Sequence, residues 1–395
     1  MRIVQICTNA SSGSVGSIVR NLCKSYKEYG HDYLICFGRG KHPEGYNAYK
    51  FDNSFDIYSH ALLARISDSD GLHSKRATSR LIKKLRDFKP DIIHIHCLHG
   101  YYINYPMLLD YIKKNRIRIV WTMHDCWAFT GHCCYFDYAQ CNHWKYHCED
   151  CSLISTYPKS YVDRSYKNFE VKKKLFSAID DCTIVTPSLW LANLLKQSFL
   201  NNFKIVTINN GIDIDTFKPT YDDNVLSKYN IDLNKKAILC LASIWTDRKG
   251  LNDVIELANY LLQDTQLIIV GITKKQSKKI PNNVICIPKT ENVHELAVIY
   301  TFASVFFNPT YEDNYPTVNI ESMACGTPVV TYDTGGSPEI VKKTHMGKII
   351  EQKDYNALIE FIEYNKKHKF NFINIENLSN QIMSHSYLNI YQKEE

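Results

Sequence analysis

Residues 305–332 read VFFNPTYEDNYPTVNIESMACGTPVVTY. The apolar run at 305–308 predicts a strand, residues 318–324 predict a helix, and residues 328–332 predict a second strand. Two strands joined through a helix run parallel, with the helix covering one face of their sheet. This stretch therefore predicts a parallel sheet covered by helices.

The same alternation of short apolar runs and helical patterns extends along the chain. Further predicted strands lie at 2–7, 33–37, 92–96, 119–123, 183–186, 205–208, 237–242, 266–270 and 284–287. Further predicted helices lie at 17–29, 189–198, 252–262 and 376–392. This order predicts an α/β fold, and 395 residues are enough for two domains.

A turn signal near the middle of the chain predicts the domain boundary. Asn209-Asn210-Gly211 is such a signal, and a polar segment with a fresh strand follows it. We predict an N-terminal domain over residues 1–211 and a C-terminal domain over residues 212–375. The remaining residues, 376–395, form a final helical segment.

The composition is that of a soluble globular protein, with 45% hydrophobic and 22% charged residues. No run of about 18 apolar residues is present, so we expect no membrane-spanning helix. Residues 1–7 resemble a strand, and no signal-peptide cleavage site follows them. We therefore expect a cytoplasmic protein.

The net charge is +6, and basic residues crowd the stretches 75–86 and 113–118. One interpretation is that they form solvated helix faces. The other is a docking surface for an anionic membrane or a phosphate-bearing lipid acceptor, which would bring the protein to the inner face of the membrane. We do not expect nucleic acid as a partner, because no nucleic-acid-binding motif accompanies the charge.

Fourteen cysteines are present, and without an export signal most should be reduced thiols. The loop at 126–151 combines a CxxC pair with cysteines shortly upstream. Four thiolates can close a tetrahedral structural zinc site. The nearest ligand set is Cys133, Cys141, Cys148 and Cys151, with His132, His143 and His147 as substitutes. Reduced cysteines without metal and disulfides are the two other interpretations of this loop.

A glycine-bearing turn follows the first predicted strand and leads into a helix. It contains Gly13 and Gly16. Backbone N–H groups in such a turn can face an anion at the helix N-terminus. A tight turn without any ligand is the alternative interpretation.

Histidines mark the next two strand ends. His94 and His96 share one face of a predicted strand, so either can be a core histidine. His99 lies past the end of that strand and His124 past the end of the next, where open α/β sheets bind ligands. His124 could bind sugar hydroxyls, stabilise charge, or form a structural pair with Asp125.

The second half has two charged elements at predicted strand ends. Arg248-Lys249-Gly250 lies between a strand and a helix, a setting that suits a diphosphate, although a solvated basic turn is the alternative. Asp313 and Glu321 are eight positions apart, one in a loop and one in the next helix. Both can accept hydrogen bonds from sugar hydroxyls. A solvated acidic loop is the other interpretation.

With these residues the chain resembles the retaining glycosyltransferases of family 4, which have the GT-B fold. The resemblance covers nearly the whole chain and is strongest over residues 242–341. The motifs that carry it are Arg248-Lys249-Gly250, the Asp313/Glu321 spacing, Ala324-Cys325-Gly326-Thr327-Pro328-Val329-Val330 and Gly335-Gly336-Ser337-Pro338-Glu339.

The resemblance implies two Rossmann-like domains facing across a cleft, with the final helix crossing back to the N-terminal domain. The C-terminal domain would hold the nucleotide sugar and the N-terminal domain the acceptor. Arg248 and Lys249 would bind the diphosphate and stabilise the departing nucleotide. Glu321 would bind the ribose, and Asp313 would contact the transferred sugar.

The remaining site residues follow from the same resemblance. His124 matches a histidine near the reacting centre and, with His99, is assigned to the acceptor. Gly13 and Gly16 match a glycine loop that contacts the donor. The donor-binding set is completed by Asn314, Tyr315 and Thr317. No catalytic metal is expected, because basic residues and helix N-termini stabilise the leaving group in such folds.

Residues 121–151 are similar to a subgroup found in bacterial surface-polysaccharide clusters, which supports Cys133, Cys141, Cys148 and Cys151 as one set.

There are also departures from the family pattern. The first acidic residue is usually a glutamate followed by glycine, whereas Asp313-Asn314 stands here and Glu312 is a rival. An expected Ala-Asp pair is Ala303-Ser304. The first departure leaves the identity of the sugar open.

The expected function is transfer of a sugar, with retention of configuration, from a nucleotide sugar to a hydroxyl of a saccharide or lipid-linked saccharide in surface polysaccharide synthesis. We expect a UDP-sugar as the donor only because UDP-sugars are more common donors than GDP-sugars. One alternative is a nucleotide-sugar 2-epimerase of similar architecture, which needs no acceptor. Another is a non-catalytic nucleotide-sugar-binding scaffold subunit. Substitution of Lys249 separates a catalyst, which loses turnover, from a scaffold, which keeps its partner.

Overall fold

The computed structural model describes residues 1–365 and 375–392 of the chain. It divides into two compact units. The first comprises Met1–Asn209 and the chain from Met383 onward, and the second comprises Asn210–Ile382. Residues 366–374 of the predicted C-terminal domain and 393–395 of the predicted final segment lie outside the described residues.

The first unit is built on a parallel sheet. Its strands are β1 (Arg2–Asn9), β2 (Asp32–Arg39), β3 (Ala48–Lys50), β4 (Ile92–Ile95), β5 (Arg118–Thr122), β6 (Cys182–Thr186) and β7 (Lys204–Thr207). Among the described residues their order is β3-β2-β1-β4-β5-β6-β7, with parallel neighbours throughout. The helices are α1 (Gly13–Glu28), α2 (Ser54–Ser67), α3 (Lys75–Phe88), α4 (Tyr105–Lys114), α5 (Ser165–Phe176) and α6 (Leu189–Leu195).

Both faces of this sheet are buried. Along β1, Val4 and Ile6 pack in one core with residues of α3 and α4, whereas Ile3 and Cys7 pack in another core with residues of α1. Successive side chains of a strand point to opposite faces, so one apolar strand supplies two cores. This explains why the strands read as short apolar runs.

The second unit repeats the design. Its strands are β8 (Lys236–Leu241), β9 (Thr265–Val270), β10 (Val284–Ile287), β11 (Val305–Asn308), β12 (Val329–Tyr332) and β13 (Gly347–Ile350). Within the described part they form one parallel sheet in the order β10-β9-β8-β11-β12-β13. The helices are α7 (Asp223–Lys228), α8 (Leu251–Leu257), α9 (Lys274–Ser277), α10 (Val293–Phe302), α11 (Thr317–Ala324), α12 (Ser337–Thr344) and α13 (Tyr355–Asn365).

The last helix, α14 (Asn380–Tyr391), packs in the core beside α1 through Met383, Tyr387, Leu388 and Tyr391. The prediction of one continuous helix over 376–392 is wrong at its start. A 3-10 turn at Ile375–Leu378 precedes Ser379, which forms a parallel β-bridge with Ile212. This backbone pairing interrupts the helical hydrogen bonds, so the α-helix begins only at Asn380.

The two parallel sheets confirm the predicted fold class of two Rossmann-like domains. Each predicted strand is present with its ends shifted by at most two residues. The strands β3 and β13 were not predicted. The predicted helix 252–262 is shorter, because α8 gives way to a 3-10 turn at Ala258–Tyr260.

No helix within residues 1–365 and 375–392 is both long and apolar enough to cross a membrane.

Candidate active site

Two loops that follow β8 and β11 are held against each other in the second unit. Gly250 ends the Arg-Lys-Gly turn with a φ of 75°, and a Cβ placed on it would lie 2.2 Å from the carbonyl oxygen of Pro309. Only glycine fits this close approach. The Tyr311 amide donates to the carbonyl of Arg248 at 2.9 Å. The basic turn therefore packs directly on the loop that carries the acidic residues.

The charged residues predicted to bind the donor meet at this junction. Lys249 Nζ donates to Asp313 Oδ2, and Arg248 Nη1 donates to the carbonyl of Glu312. The glycine turn after β12 supports the same loop, because a Cβ on Gly335 would lie 2.4 Å from the carbonyl of Asp313. The structure thus brings Arg248, Lys249 and Asp313 together at the carboxyl ends of neighbouring strands.

Glu321 lies on α11, which begins at Thr317 immediately after this loop. The Tyr300 hydroxyl donates to Glu321 Oε2 at 3.2 Å, and the Thr317 side chain also hydrogen-bonds the carboxyl group. Burial raises the pKa of Glu321 to about 7, against the opposing effect of these hydrogen bonds. The backbone N–H of Asn314 donates to Asp313 Oδ1 at 2.9 Å, and the buried Tyr315 hydroxyl lacks a hydrogen-bond partner within the described residues.

Two polar residues that shape this site were not predicted. Asp253 Oδ2 accepts hydrogen bonds from the hydroxyls of Tyr311 and Tyr332, both at 2.7 Å. Asn319 is fully buried on α11 and accepts from Asn308 Nδ2 at 2.8 Å. An asparagine inside a helix is an unfavourable choice that hints at such a role. No comparable signal marks Asp253, which lies in the first turn of α8.

In the first unit, His124 follows the end of β5 and lies next to His96. His124 Nε2 is 2.9 Å from His96 Nδ1, and the rings stack with centroids 5.3 Å apart. Burial lowers the pKa of His124 to about 4, although the charge of Asp125 opposes this. Burial also lowers the pKa values of His94 and His96 well below the usual range. These three imidazoles are therefore neutral at pH 7.

His99 is the charged histidine of this region. Its Nε2 lies 2.9 Å from Asp125 Oδ2, and its Nδ1 lies 3.2 Å from the Tyr157 hydroxyl. Burial lowers the pKa of His99, but the charge and hydrogen bond of Asp125 outweigh this and hold the pKa well above its usual value. Asp125 thus pairs with His99 rather than with its chain neighbour His124. Contact of His99 with an acceptor stays a prediction.

The predicted glycine turn opens α1, with Gly13 as its first residue and Gly16 three residues further on. Asn9 orders this turn, since its Oδ1 accepts from the Ser11 amide at 2.9 Å and its Nδ2 donates to the Ser12 hydroxyl at 2.9 Å. Ser12 is the N-cap residue but does not cap the helix with its side chain. Contact with a donor anion stays a prediction.

The predicted zinc ligands are neighbours in the first unit. The thiols of Cys133 and Cys151 hydrogen-bond each other, which lowers the pKa of Cys151 to about 7. Cys148 Sγ accepts from the Gly131 amide at 3.1 Å and lies within electrostatic range of Cys141 and Cys151. All fourteen cysteines are free thiols, so the structure contains no disulfide among them.

A different set of possible metal ligands has its ligand atoms closer together than the four predicted cysteines. Across the part of the chain that the structure describes, the three ligand atoms lying within 4.8 Å of one another belong to His99, Asp125 and Cys134. A tetrahedral zinc–thiolate site requires sulfur–sulfur distances of roughly 3.8 Å, given Zn–S bonds of about 2.3 Å. The four predicted cysteines would have to draw closer to reach that geometry, so their metal binding stays a prediction.

Comparison with known proteins agrees with this architecture. Residues 15–216, just over half of the chain, match the family model described as Glycosyltransferase Family 4. Residues 222–375 match the model described as Glycosyl transferases group 1. WcaC of Escherichia coli K12, whose name assigns it to colanic acid biosynthesis as a glycosyl transferase, is 23% identical over 376 residues, covering 91% of this chain and 90% of WcaC.

Solved structures show the same fold. Anabaena Alr3699/HepE in complex with UDP and glucose has a TM-score of 0.68 at 13% identity, with 99% of each chain covered. WaaG, a glycosyltransferase involved in lipopolysaccharide biosynthesis, has a TM-score of 0.66 at 14% identity, covering 99% of this chain and 100% of WaaG. The chain belongs to glycosyltransferase family 4 and is a glycosyltransferase with the GT-B fold.

Proposed function

We propose that this enzyme transfers a hexosyl group from a UDP-sugar to a hydroxyl of a saccharide or lipid-linked saccharide, with retention of configuration, in bacterial surface polysaccharide biosynthesis. The observation that carries the proposal is the junction of Arg248, Lys249 and Asp313 beside the start of α11. It combines cations and helix amides for a diphosphate with a carboxylate for sugar hydroxyls.

Each group has a defined task in this reaction. The bond between the anomeric carbon and the diphosphate breaks, and the negative charge that develops on the leaving oxygen is stabilised by Arg248 and Lys249. The acceptor hydroxyl forms the new bond on the same face of the sugar and gives its proton to the departing phosphate oxygen. Asp313 holds a hydroxyl of the transferred sugar, and Glu321 holds the ribose. No step requires a metal ion.

The relatives support the nature of donor and product. HepE was crystallised with UDP and glucose, and the name of WcaC refers to colanic acid, a polysaccharide. A Family 4 match together with an ion-paired donor junction favours this reaction over epimerisation, which uses no acceptor. The donor sugar and the acceptor are to be identified by experiment.

The first test is a thermal-shift screen with UDP- and GDP-sugars. A ligand that binds the folded state raises Tm in proportion to the logarithm of its concentration over Kd. We expect one UDP-sugar to stabilise the wild type and the control Lys342→Ala, which removes an exposed lysine from the same unit, but not Lys249→Ala. Equal stabilisation of Lys249→Ala, or none of the wild type at millimolar sugar, contradicts the donor site.

Contact with a membrane is supported by α2, which turns large apolar side chains outward. Phe55 and Tyr58 are each 75% exposed, Leu62 is 59% exposed and Ile66 is 54% exposed. Their spacing of three and four residues places them on one face of the helix. Only His60 and Ala64 of the described helix are buried. We call this face the α2 stripe.

The surroundings of the α2 stripe favour a lipid surface as its partner. The Tyr161 amide donates to the carbonyl of Arg65 at 2.8 Å, so the exposed Tyr161 extends the stripe. The next helix begins with the exposed Lys75 and Arg76. Aromatic and aliphatic side chains beside basic residues are typical of helices that lie in the headgroup region of anionic membranes. We infer that the α2 stripe docks on such a membrane.

Sedimentation with vesicles tests this inference. Vesicles that contain phosphatidylglycerol should bind the wild type more strongly than neutral vesicles. Leu62→Asp should lose this binding with unchanged stability, because the side chain is exposed, whereas Leu233→Asp, an exposed leucine in the other unit, should keep it. Self-association of the wild type that Leu62→Asp abolishes, without vesicle binding, would instead assign the stripe to a second copy.

We also infer that Cys133, Cys141, Cys148 and Cys151 bind a structural zinc ion, a donor set supported by the Cys133–Cys151 hydrogen bond and the nearby Cys148. Elemental analysis should find one zinc per chain, lost in Cys148→Ser and kept in the matched Cys134→Ser. Zinc that disappears from Cys134→Ser instead belongs to the His99, Asp125 and Cys134 set.

A further inference from the structure

A buried carboxylate in the second unit joins elements at the carboxyl ends of β8, β11 and β12. Asp253 lies in the first turn of α8, four residues after Lys249, and is 3% exposed. Its Oδ2 accepts hydrogen bonds from the hydroxyls of Tyr311, in the loop after β11, and of Tyr332, the last residue of β12, both at 2.7 Å. The two rings meet edge to face with centroids 5.6 Å apart. One oxygen atom thus connects the ends of three neighbouring strands.

The hydrogen bonds of this group are costly to break. Two hydroxyl donors stabilise the ionised form of the buried Asp253 carboxylate, which would otherwise lose its hydration without compensation. Burial, followed by the hydrogen bond and charge of Asp253, raises the pKa of Tyr332 well above its usual range, so this hydroxyl keeps its proton and donates. A buried carboxylate left without its donors is destabilising, so both tyrosines are held on Asp253.

The two tyrosines differ in how their main chains are fixed. Tyr332 is part of the sheet, where it pairs with β13. Tyr311 lies in the loop beyond β11, and its amide donates to the carbonyl of Arg248 at 2.9 Å. The hydroxyl of Tyr311 on Asp253 is therefore a second link, made by the side chain, between the start of α8 and the loop that carries Asp313.

This link joins the same two segments as the ion pair of the donor site. Lys249 and Asp253 lie on opposite sides of Gly250, and Asp313 follows Tyr311 by two residues. The ion pair between Lys249 and Asp313 is partly in contact with solvent, and such pairs hold their partners weakly. The hydrogen bond to Asp253 ends on a buried carboxylate. The buried link is therefore the better one to fix the distance between the two segments.

We propose that Asp253 is a positioning residue for the donor, which through the Tyr311 hydroxyl holds the Asp313 loop against the basic turn. The inference rests on the proposed function, in which Lys249 binds the diphosphate and Asp313 the transferred sugar. A phosphate that binds Lys249 competes with Asp313 for the ammonium group and opens their ion pair. The link through Asp253 does not involve the lysine, so it keeps the loop in place while the donor binds.

Tyr311→Phe and Tyr332→Phe are a matched pair of variants, because each removes one hydroxyl from the same carboxylate oxygen. Both should lower the urea midpoint of unfolding. Only Tyr311→Phe should also lower kcat/KM for the donor found by thermal shift, by roughly 10- to 100-fold, since a misplaced loop no longer aligns the sugar with the diphosphate site. Asp253→Leu should match Tyr311→Phe. Asp253→Asn, whose amide oxygen can accept from both hydroxyls, should recover most of the loss.

Amide hydrogen exchange measures the same link without a substrate. The amide of Tyr311 is bonded to the carbonyl of Arg248, so its exchange reports how often the loop leaves the basic turn. Mass spectrometry of peptides that cover residues 309–314 should show faster exchange in Tyr311→Phe than in the wild type. The rate in Tyr332→Phe should stay close to that of the wild type, because the strand still holds the main chain of Tyr332.

Two results would overturn the inference. One is an equal kcat/KM for Tyr311→Phe and Tyr332→Phe, which would reduce Asp253 to a contribution to stability alone. The other is exchange of the 309–314 loop that Tyr311→Phe leaves unaltered. If the exchange changes as expected but no nucleotide sugar binds to or reacts with the wild type, the proposed function fails, whereas the role of Asp253 in holding the loop stands.

Discussion

The two sheets of this protein end in polar sites built in opposite ways. In the first unit, His94 and His96 are buried and His124 is half-buried. Their low pKa values keep all three neutral, and their partners are polar groups of the same unit. In the second unit, Lys249 and Asp313 are charged, form an ion pair, and keep part of their surface in contact with solvent. The same fold can thus present hydrogen-bonding groups that suit hydroxyls or charges that suit phosphate, depending on burial.

The largest expected effect of a substitution lies in the charged site. Lys249→Ala removes a cation from the leaving group, and the loss of one such stabilising group costs roughly 10²–10³-fold in kcat. The ion pair is partly solvated, so the free energy of unfolding should change by only about 0–1 kcal/mol. Steady-state assays with the donor found by thermal shift, together with urea unfolding, check both parts. A large loss of stability would mean that this site is structural, as in the first unit.

In the buried site of the first unit, removal of a polar group should lower the free energy of unfolding rather than kcat. Tyr391→Phe removes a hydroxyl that contacts His94 and Tyr26, each at 2.6 Å, and leaves buried groups unsatisfied. The expected loss is about 1–3 kcal/mol in the free energy of unfolding. Tyr221→Phe is the control, since that hydroxyl is on an exposed residue. Equal urea midpoints for the two variants would show that these contacts contribute nothing to stability.

The smallest expected effect is the pH dependence of donor binding, for which we expect Kd to change several-fold between pH 6 and 8. Glu321 has a pKa of about 7, and its ionised form is the better acceptor for ribose hydroxyls. Binding should therefore tighten as pH rises from 6 to 8 and release a proton. Calorimetry in buffers of different ionisation enthalpy measures both, and Glu321→Gln should show neither. An affinity that falls over this range would place the ribose elsewhere.

Glu321 also makes folding stability depend on pH, and the stability changes with pH in the direction opposite to that for an ordinary paired carboxylate. Its pKa is raised from 4.5 to about 7, so the folded state holds the proton more tightly than the unfolded chain. This contribution to stability is complete below pH 4.5 and is lost as pH rises through 7. Unfolding of Glu321→Gln, compared with the wild type at pH 5 and 8, isolates it.

Local signals in the sequence were enough to predict the strands and the charged loops. Apolar runs predicted both sheets, but β3 at Ala48–Lys50 and β13 at Gly347–Ile350 are short edge strands without such a run. The Arg248-Lys249 turn and the Asp313/Glu321 spacing are contiguous motifs, and the structure brings Arg248, Lys249 and Asp313 into contact.

Contacts between distant residues could not be predicted in this way. Tyr391 meets His94 across 297 positions of sequence, and no local pattern marks either one for the other. Asp125 was considered as a partner of the adjacent His124, yet its carboxylate binds His99, which approaches from the end of the neighbouring strand. Such pairings depend on which strands are neighbours in the sheet, and single-sequence periodicity does not contain that order.

The packing of α14 in the core of the first unit has a consequence for how the chain folds during synthesis. The sheet of that unit is complete in sequence at Thr207, yet its core also requires Tyr387, Leu388 and Tyr391. On a ribosome, this unit emerges first, but the whole second unit must be translated before Tyr391 can contact His94. The domain that is synthesised first is therefore completed last, and until α14 is made its buried His94 lacks its contacts with Tyr387 and Tyr391.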